Sequence, residues 1–339
     1  MNSRIAALVC GLLTLVLLLG GGTTALDLSA RGQEPQPEAG TEVLANLAAG
    51  RVAILVCKDG MVVATAESPV EPGTLPPMIV PLSAFRVGVL LGPLEWIWPG
   101  SGRSPLRLDA ALRRAGGEAA RARNTTIADA ASDIETIGLA FLTPLRSAAA
   151  QIHSRLRLQQ KDVLAELLLA GYAKEYGPEV WSLRYRLEQH LLRGDFYETV
   201  VHRPEYIQLY PPEKGQPHTL VETRYPPDDA SEPRLLDLLI GGDSRVSALR
   251  RGDAPMERAA ERVEKGESQK VPFLDGVDLL RATMQAVTPR DRRQMLAAIK
   301  ENTGVEWLAG EELSAPALPQ EKREPGAPSL YKQPKPPRD

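Results

Sequence analysis

Cysteine is nearly absent from this chain of 339 residues, which has only Cys10 and Cys57. Cys10 lies in an apolar N-terminal segment, so Cys57 is the single thiol of the remaining chain and no intramolecular disulfide is predicted. A lone cysteine in an apolar strand is usually a small core residue. Cys57 is nevertheless kept as a candidate nucleophile.

Other chemical signatures are missing as well. The four histidines have no metal-ligand spacing, and the sequence has no phosphate-binding loop, dinucleotide fingerprint or nucleophile elbow. We therefore expect no metal and no cofactor. The 40 Lys and Arg residues are balanced by 43 Asp and Glu, which argues against nucleic-acid binding.

The N-terminus carries a long apolar run from Ile5 to Gly20. Small residues at Thr23-Thr24-Ala25 are suited to signal-peptidase cleavage, which predicts a signal peptide over residues 1–25. The alternative is an uncleaved anchor, because residues 5–22 are just long enough to span a membrane. Both interpretations place the bulk of the chain outside the cytoplasm, periplasmic or secreted, and only the anchor gives a membrane contact.

Composition also predicts the domain boundaries. Residues 26–49 are predicted to be a linker rich in Pro and Gly, with a short helical lead-in over Thr41–Ala49. Residues 311–339 predict a disordered, Pro-rich tail. The folded domain is then expected over residues 50–310.

Two β-hairpins are predicted at the start of this domain. In Arg51–Thr65 the turn Lys58-Asp59-Gly60 separates two β-branched apolar runs, which is typical of a two-residue primed turn with positive φ. Met78–Leu82 and Phe85–Leu91 predict a second hairpin that ends at Gly92-Pro93.

A strand pair over Val163–Glu188 is predicted to lie at the centre of the domain. Leu167–Ala170 is apolar on both sides, which indicates a deeply buried strand. The second strand alternates between apolar and polar residues, which indicates a strand covered on one face. The residues on its covered face are Trp181, Leu183, Tyr185 and Leu187.

Helices are predicted before and after this strand pair in the sequence. Apolar residues at spacings of three and four predict a helix from Asp129, with a kink or break at Pro144. A second helix is predicted over Asp275–Val287, and a third from Thr288-Pro289 to just before Gly304.

Two further features complete the order of elements. A short strand is predicted over Val305–Leu308, and residues 204–270 predict an insertion rich in Pro, Tyr and charge. Strand blocks separated from helix blocks favour an α+β fold.

Several of these segments resemble proteasome-type N-terminal-nucleophile hydrolases. Gly50–Thr65 resembles the opening hairpin of those subunits, with its Lys-Asp-Gly turn and Val-rich return strand. Met78–Leu82 with Arg86–Gly92 resembles their second hairpin, and Leu167–Tyr172 with Gly177–Leu183 resembles their central strand pair. The resemblance implies a four-layer αββα sandwich.

The catalytic residues implied by the resemblance are not present. Active members use an N-terminal Thr whose own amine is the base, supported by a Lys and an Asp. Aligned on Lys58, the Thr position is Gly50, the Asp position is Ala66, and the Lys position falls near Met78. Glu67, beside Ala66, is a candidate for the missing carboxylate.

Together with the apolar N-terminal segment, the resemblance therefore predicts an exported, non-catalytic protein that acts in binding or assembly. Its partners would be further copies of the chain, through sheet or helix faces, or a protein or peptide ligand. The alternative is an active threonine-type peptidase or hydrolase, unmasked by processing at Thr41, which lies nine residues before Gly50. A third interpretation is a membrane-anchored scaffold of another α+β fold, which requires that the hairpin at Lys58–Met61 be absent.

Overall fold

The structure is a computed structural model. It describes residues 43–67, 74–98, 103–122, 130–152, 156–158, 163–173, 177–212, 220–225, 235–236, 253–288 and 293–309. The predicted signal or anchor segment, Thr41 and the predicted C-terminal tail lie outside these ranges. The described residues confirm a mixed α+β structure with more strand than helix.

The described residues contain fourteen strands. They are β1 (Leu44–Ala48), β2 (Gly50–Val56), β3 (Gly60–Glu67), β4 (Met78–Ser83), β5 (Arg86–Trp96), β6 (Leu106–Arg107), β7 (Ala165–Ala173), β8 (Gly177–Tyr185), β9 (Leu187–Leu191), β10 (Tyr197–Val201), β11 (Glu205–Tyr210), β12 (Val221–Tyr225), β13 (Gln294–Lys300) and β14 (Gly304–Ala309).

These strands form two large antiparallel sheets and one ribbon. Sheet I has the order β1-β5-β7-β8-β11, with β4 and β6 also paired to β5. Sheet II has the order β12-β2-β3-β13-β14, and β9 pairs with β10 in the ribbon. Each sheet therefore combines strands from distant parts of the chain.

Four α-helices accompany the sheets in the described residues. They are α1 (Leu108–Ala122), α2 (Ala130–Ala149), α3 (Ala254–Glu264) and α4 (Phe273–Val287), with a 3-10 turn over Ser268–Lys270. Asp253 caps α3, because its carboxylate accepts a hydrogen bond from the N–H of Met256 at 3.1 Å.

Three buried apolar clusters lie on the faces of the sheets. The first joins sheet I to α1 and α2, the second joins the two sheets, and the third joins sheet II to α3 and α4. Strand alternation explains this division, since successive side chains point to opposite faces. In β2, for example, Val52 and Ile54 lie in the second cluster, whereas Ala53 and Leu55 lie in the third.

Both predicted hairpins and the central strand pair are confirmed. β2 pairs with β3, β4 with β5, and β7 with β8. The layer predicted over Trp181, Leu183 and Tyr185 includes α2, since the hydroxyl of Tyr185 donates to the carbonyl of Gly138 at 3.0 Å. Sheet II covers the opposite face, so Ser182 is buried although that face was predicted to be uncovered.

The predicted turn conformation at Lys58-Asp59-Gly60 is wrong. The hairpin closes with a hydrogen bond from the N–H of Cys57 to the carbonyl of Gly60 at 2.8 Å, and none of these turn residues has a positive φ. Glycine is needed there for another reason. A Cβ on Gly60 would lie 2.6 Å from Cδ2 of Phe273, so the close approach of α4 excludes a side chain.

Two predicted helices are strands in the structure. The lead-in over Thr41–Ala49 contains β1, which pairs with the extension of β5 beyond Gly92. The third helix contains β13, which pairs with β3 on one side and β14 on the other. Pairing on both edges and burial on both faces override the helical preference of its Met, Leu and Ala residues.

Three other boundaries also differ from the prediction. β5 continues past Gly92-Pro93 to Trp96. The pairing of β5 with β7 ends at Leu91, so the missing N–H of Pro93 removes no hydrogen bond between these two strands. α2 continues through Pro144 without a break. The segment predicted as an insertion, residues 204–270, contributes β11 to sheet I and β12 to sheet II.

Candidate functional site

The chain crosses from sheet I to sheet II at Ala49, immediately before the position where the resemblance requires a nucleophile. Ala48 pairs with Gly92 of β5, and Gly50 begins β2 with φ 136°. Ala49 is fully buried, and its N–H donates to the carbonyl of Leu75 at 2.9 Å. The nitrogen of Gly50 is therefore a peptide amide inside a buried crossover, with no side chain and no free amine beside it.

Glu67 and Tyr225 lie on either side of Gly50 in sheet II. The carboxylate of Glu67 accepts a hydrogen bond from the N–H of Arg293 at 3.3 Å. Glu67 does not replace the carboxylate expected at Ala66, because adjacent strand residues point to opposite faces. Ala66 lies in the cluster under α3 and α4.

The position expected to carry the lysine is also occupied by an apolar residue. Met78 begins β4 and packs against the cluster that joins sheet I to α1 and α2. A buried cation does lie next to Gly50, but Arg51 is ion-paired with Glu222 at 3.3 Å. A paired guanidinium that remains charged cannot serve as a general base.

A hydrogen-bonded hydroxyl and carboxylate lie in the layer between the sheets. Ser182 donates to Glu166 Oε1 at 2.5 Å, and Nε of Arg184 lies 3.5 Å from the same oxygen. Ser182 is fully buried and Glu166 is 1% exposed. A substrate could not reach this pair without separation of the two sheets, so we interpret it as structural.

Cys57 lies at the end of β2 that is far from Gly50. Its thiol is in the cluster with α4, where a Cβ on Gly276 would lie 2.4 Å from Cys57 Sγ. Burial, and secondly the negative charge of Asp275, raises the pKa of the Cys57 thiol to about 12. The thiol is therefore protonated at neutral pH and is not an activated nucleophile.

This environment predicts slow alkylation of Cys57 in the folded protein. At pH 8 the thiolate fraction should be roughly a thousandfold lower than in the unfolded chain, because the pKa rises from 9.0 to about 12. Iodoacetamide labelling with and without denaturant measures this ratio. Comparable labelling rates in both states would contradict the buried position.

The same pKa shift predicts a pH dependence of stability. The contribution of Cys57 is fully present below about pH 9 and is lost as the pH rises towards 12, since only the unfolded chain ionises easily in that window. The free energy of unfolding of wild type should therefore fall more steeply than that of Cys57→Ala between pH 9 and the pKa of the folded state. Cys57→Ala is the control because burial also raises the pKa of Tyr172, and this tyrosine contributes to the pH dependence of stability in both proteins.

Thr41, the third candidate, lies outside the described residues, but its neighbour Val43 can be located. The carbonyl of Val43 accepts a hydrogen bond from the N–H of Ile97 at 2.7 Å, at the end of β1 away from Gly50. Five residues separate Val43 from Ala48, which corresponds to roughly 16 Å along an extended strand. The chain therefore enters β1 at the end that lies farther from Gly50.

A groove between α1 and α2 was missed by the sequence analysis. It encloses about 420 Å³ on the outer side of these helices. Its lining mixes apolar residues with the polar Thr143, Ser147 and Gln151, and the exposed Arg114 and Glu118 of α1 stand at its rim. The sequence analysis placed no long helix between the second hairpin and Asp129, so no pattern indicated that two long helices would border a cavity.

Within the described residues, no group of three or more His, Cys, Asp or Glu side chains has the proximity needed to hold a metal ion. None of the helices in the described ranges is long and apolar enough to cross a membrane.

No protein-family model matches the chain, and no curated protein is significantly similar to it.

Proposed function

We propose that this chain is a non-catalytic protein with the four-layer αββα sandwich of proteasome-type N-terminal-nucleophile hydrolases. Support comes from the three apolar clusters, which follow the order of helices, sheet I, sheet II and helices. The order of hairpins and the pairing of β2 with β3 also agree with the resemblance.

The proposal that the protein is non-catalytic rests on the peptide amide at Gly50. The hydrolase mechanism needs a side-chain nucleophile and a free amine on one residue. Gly50 supplies neither, because Ala49 and β1 precede it within the fold. Ala66 and Met78 lack the groups that would tune such an amine.

With no catalytic residues at these places, the protein is proposed to act in binding or assembly. The apolar run at Ile5–Gly20 supports export, so the proposed location is the periplasm or the extracellular space, with anchoring by residues 5–22 as the variant of this proposal. The proposed partners are other copies of the chain or a protein or peptide ligand.

Peptide turnover and covalent labelling test this proposal. Protein purified from an exporting host is incubated with fluorogenic peptides and with a β-lactone probe that acylates N-terminal threonines. We expect turnover equal to buffer and no labelled threonine, with Thr41→Ala indistinguishable from wild type.

The matched control is Thr303→Ala, which changes an exposed threonine between β13 and β14. Turnover that is lost in Thr41→Ala and kept in Thr303→Ala would establish the hydrolase alternative instead.

A further inference from the structure

The ribbon of β9 and β10 ends in an ordered, exposed tip, which we call the hairpin tip (residues 191–196). The strands pair from Leu187 with Val201 to Leu191 with Tyr197, and the N–H of Leu192 donates to the carbonyl of Phe196 at 2.7 Å. Among the described strands, β9 and β10 pair only with each other. The hairpin tip is therefore held in a fixed shape outside both large sheets.

The hairpin tip concentrates apolar surface. Leu191 is 62% exposed, Leu192 56% and Phe196 40%, and the only other large apolar residue that is exposed in the described ranges is Leu274 on α4. Single exposed apolar residues are ordinary, whereas the adjacent Leu191 and Leu192 on one tip indicate a surface that another molecule covers.

The groove between α1 and α2, which we call the helix groove, has the complementary chemistry. Its volume of about 420 Å³ is large enough for several apolar side chains. Pro144 lines it and has no N–H to donate to the carbonyl of Ala140 one turn earlier in α2. The apolar residues of its floor and walls are Trp98, Leu106, Ala111, Ala115, Ala140 and Ala148.

Charges at the two surfaces are complementary as well. Arg114 and Glu118 stand one turn apart on the rim of the helix groove, and both are exposed. Arg193 and Asp195 flank Gly194 at the hairpin tip and are also exposed. Within the described part of the chain none of these four has an ion-pair partner, so each is available to a charge of opposite sign.

We propose that the hairpin tip of one copy of this chain docks in the helix groove of a second copy. Leu191 and Leu192 pack against the apolar residues of the helix groove, Asp195 meets Arg114, and Arg193 meets Glu118. The exposure of the hairpin tip shows that it does not fill the groove of its own chain. This inference rests on the assembly role proposed above and names the partner.

The position of the two surfaces favours a closed assembly. Arg146 of α2 donates to the carbonyl of Val201 at 3.0 Å, at the base of the ribbon, while Ser147 of the same helix lines the helix groove. Because both surfaces border α2, two copies can exchange hairpin tips reciprocally. Such an exchange forms a closed dimer, with two identical contacts.

Sedimentation of the full mature chain over a range of concentrations tests the contact. We expect a dimer in wild type. The double variant Leu191→Ser/Leu192→Ser should raise the dissociation constant by about tenfold for each leucine removed. Ser147→Trp, which fills the helix groove from an exposed position, should also give monomer.

The matched control is Leu274→Ser, which removes an equally exposed leucine from α4 and should leave the dimer unchanged. A charge exchange tests the orientation of the docking. Arg114→Glu and Asp195→Arg should each weaken the dimer at low salt, and the two together should restore it.

A wild-type chain that stays monomeric, or a dimer that survives both the leucine and the Ser147→Trp changes, would overturn the contact. These results are distinct from failure of the proposed function. A monomer without turnover overturns only the contact, and a dimer with Thr41-dependent turnover overturns only the non-catalytic role.

Discussion

Replacing Glu179 by leucine is expected to lower the free energy of unfolding by about 3–5 kcal/mol. Glu179 of β8 forms an ion pair with Arg86 of β5, and these side chains are only 7% and 2% exposed. Without the carboxylate the guanidinium would remain in the core, where its Nε and Nη1 already lack partners. Urea unfolding followed by circular dichroism measures the change.

The pair depends on a glycine between its members. Arg86, Gly171 and Glu179 lie in one row across β5, β7 and β8. Because Gly171 has no side chain, Arg86 can extend across the intervening strand to reach the carboxylate. A Cβ on Gly171 would lie 3.0 Å from Cα of Arg86 and 2.6 Å from the carbonyl oxygen of Phe85.

Two comparisons separate the loss of the partner from the loss of packing. The double variant Arg86→Met/Glu179→Leu removes both charges and should be more stable than Glu179→Leu alone. Glu205→Leu breaks the ion pair of Arg186 and Glu205, whose side chains are 50% and 54% exposed. This change should alter the free energy of unfolding by about 0.5 kcal/mol or less. Equal losses in Glu179→Leu and Glu205→Leu would contradict a buried pair.

Replacing Gly50 by threonine, the residue type that the resemblance to N-terminal-nucleophile hydrolases requires at this position, is expected to destabilise the protein by about 1–3 kcal/mol and to give no activity. The φ of 136° at Gly50 is a conformation that residues with a Cβ rarely adopt. The threonine would also carry an amide nitrogen rather than an amine, so it could not activate its own hydroxyl. Thermal unfolding and peptide turnover test both parts.

Gly117 provides the matched control. It lies within α1, and a Cβ there would meet no atom within 4 Å. Gly117→Ala should therefore stabilise the protein by about 0.5–1 kcal/mol through the higher helix propensity of alanine. A Gly50→Thr variant as stable as wild type would show that the crossover at Ala49 tolerates a side chain, and turnover by it would contradict the non-catalytic account.

Elements with local signals were predictable from the sequence. β2 and β3 are β-branched runs around a short turn, and β8 alternates between apolar and polar residues. Each of these strands can therefore be recognised from its own residues. β13 could not be recognised, because a short apolar run of Met, Leu and Ala is compatible with a helix until its two neighbouring strands are known. β1 has the same difficulty, since its strand partner in the described residues is β5, about fifty residues later.

The candidate site likewise has features that can be read from the sequence and features that arise only from tertiary packing. That glycine stands where the resemblance expects a nucleophile follows from counting back from Lys58, and the β2–β3 hairpin on which the count depends is confirmed. The crossover that buries the Gly50 amide could not be predicted from the sequence, since it depends on the pairing of β1 with β5. The ion pair of Arg86 with Glu179, which are 93 residues apart, and the helix groove likewise arise only from tertiary packing.

The most direct test of the central claim, that position 50 carries a peptide amide and no nucleophile, is the intact mass of the mature protein from an exporting host. The account predicts a chain that begins at Leu26, or an uncut chain that keeps residues 1–25, so that Gly50 is internal in either case. A mature chain that begins at Thr41 and hydrolyses peptides would contradict it.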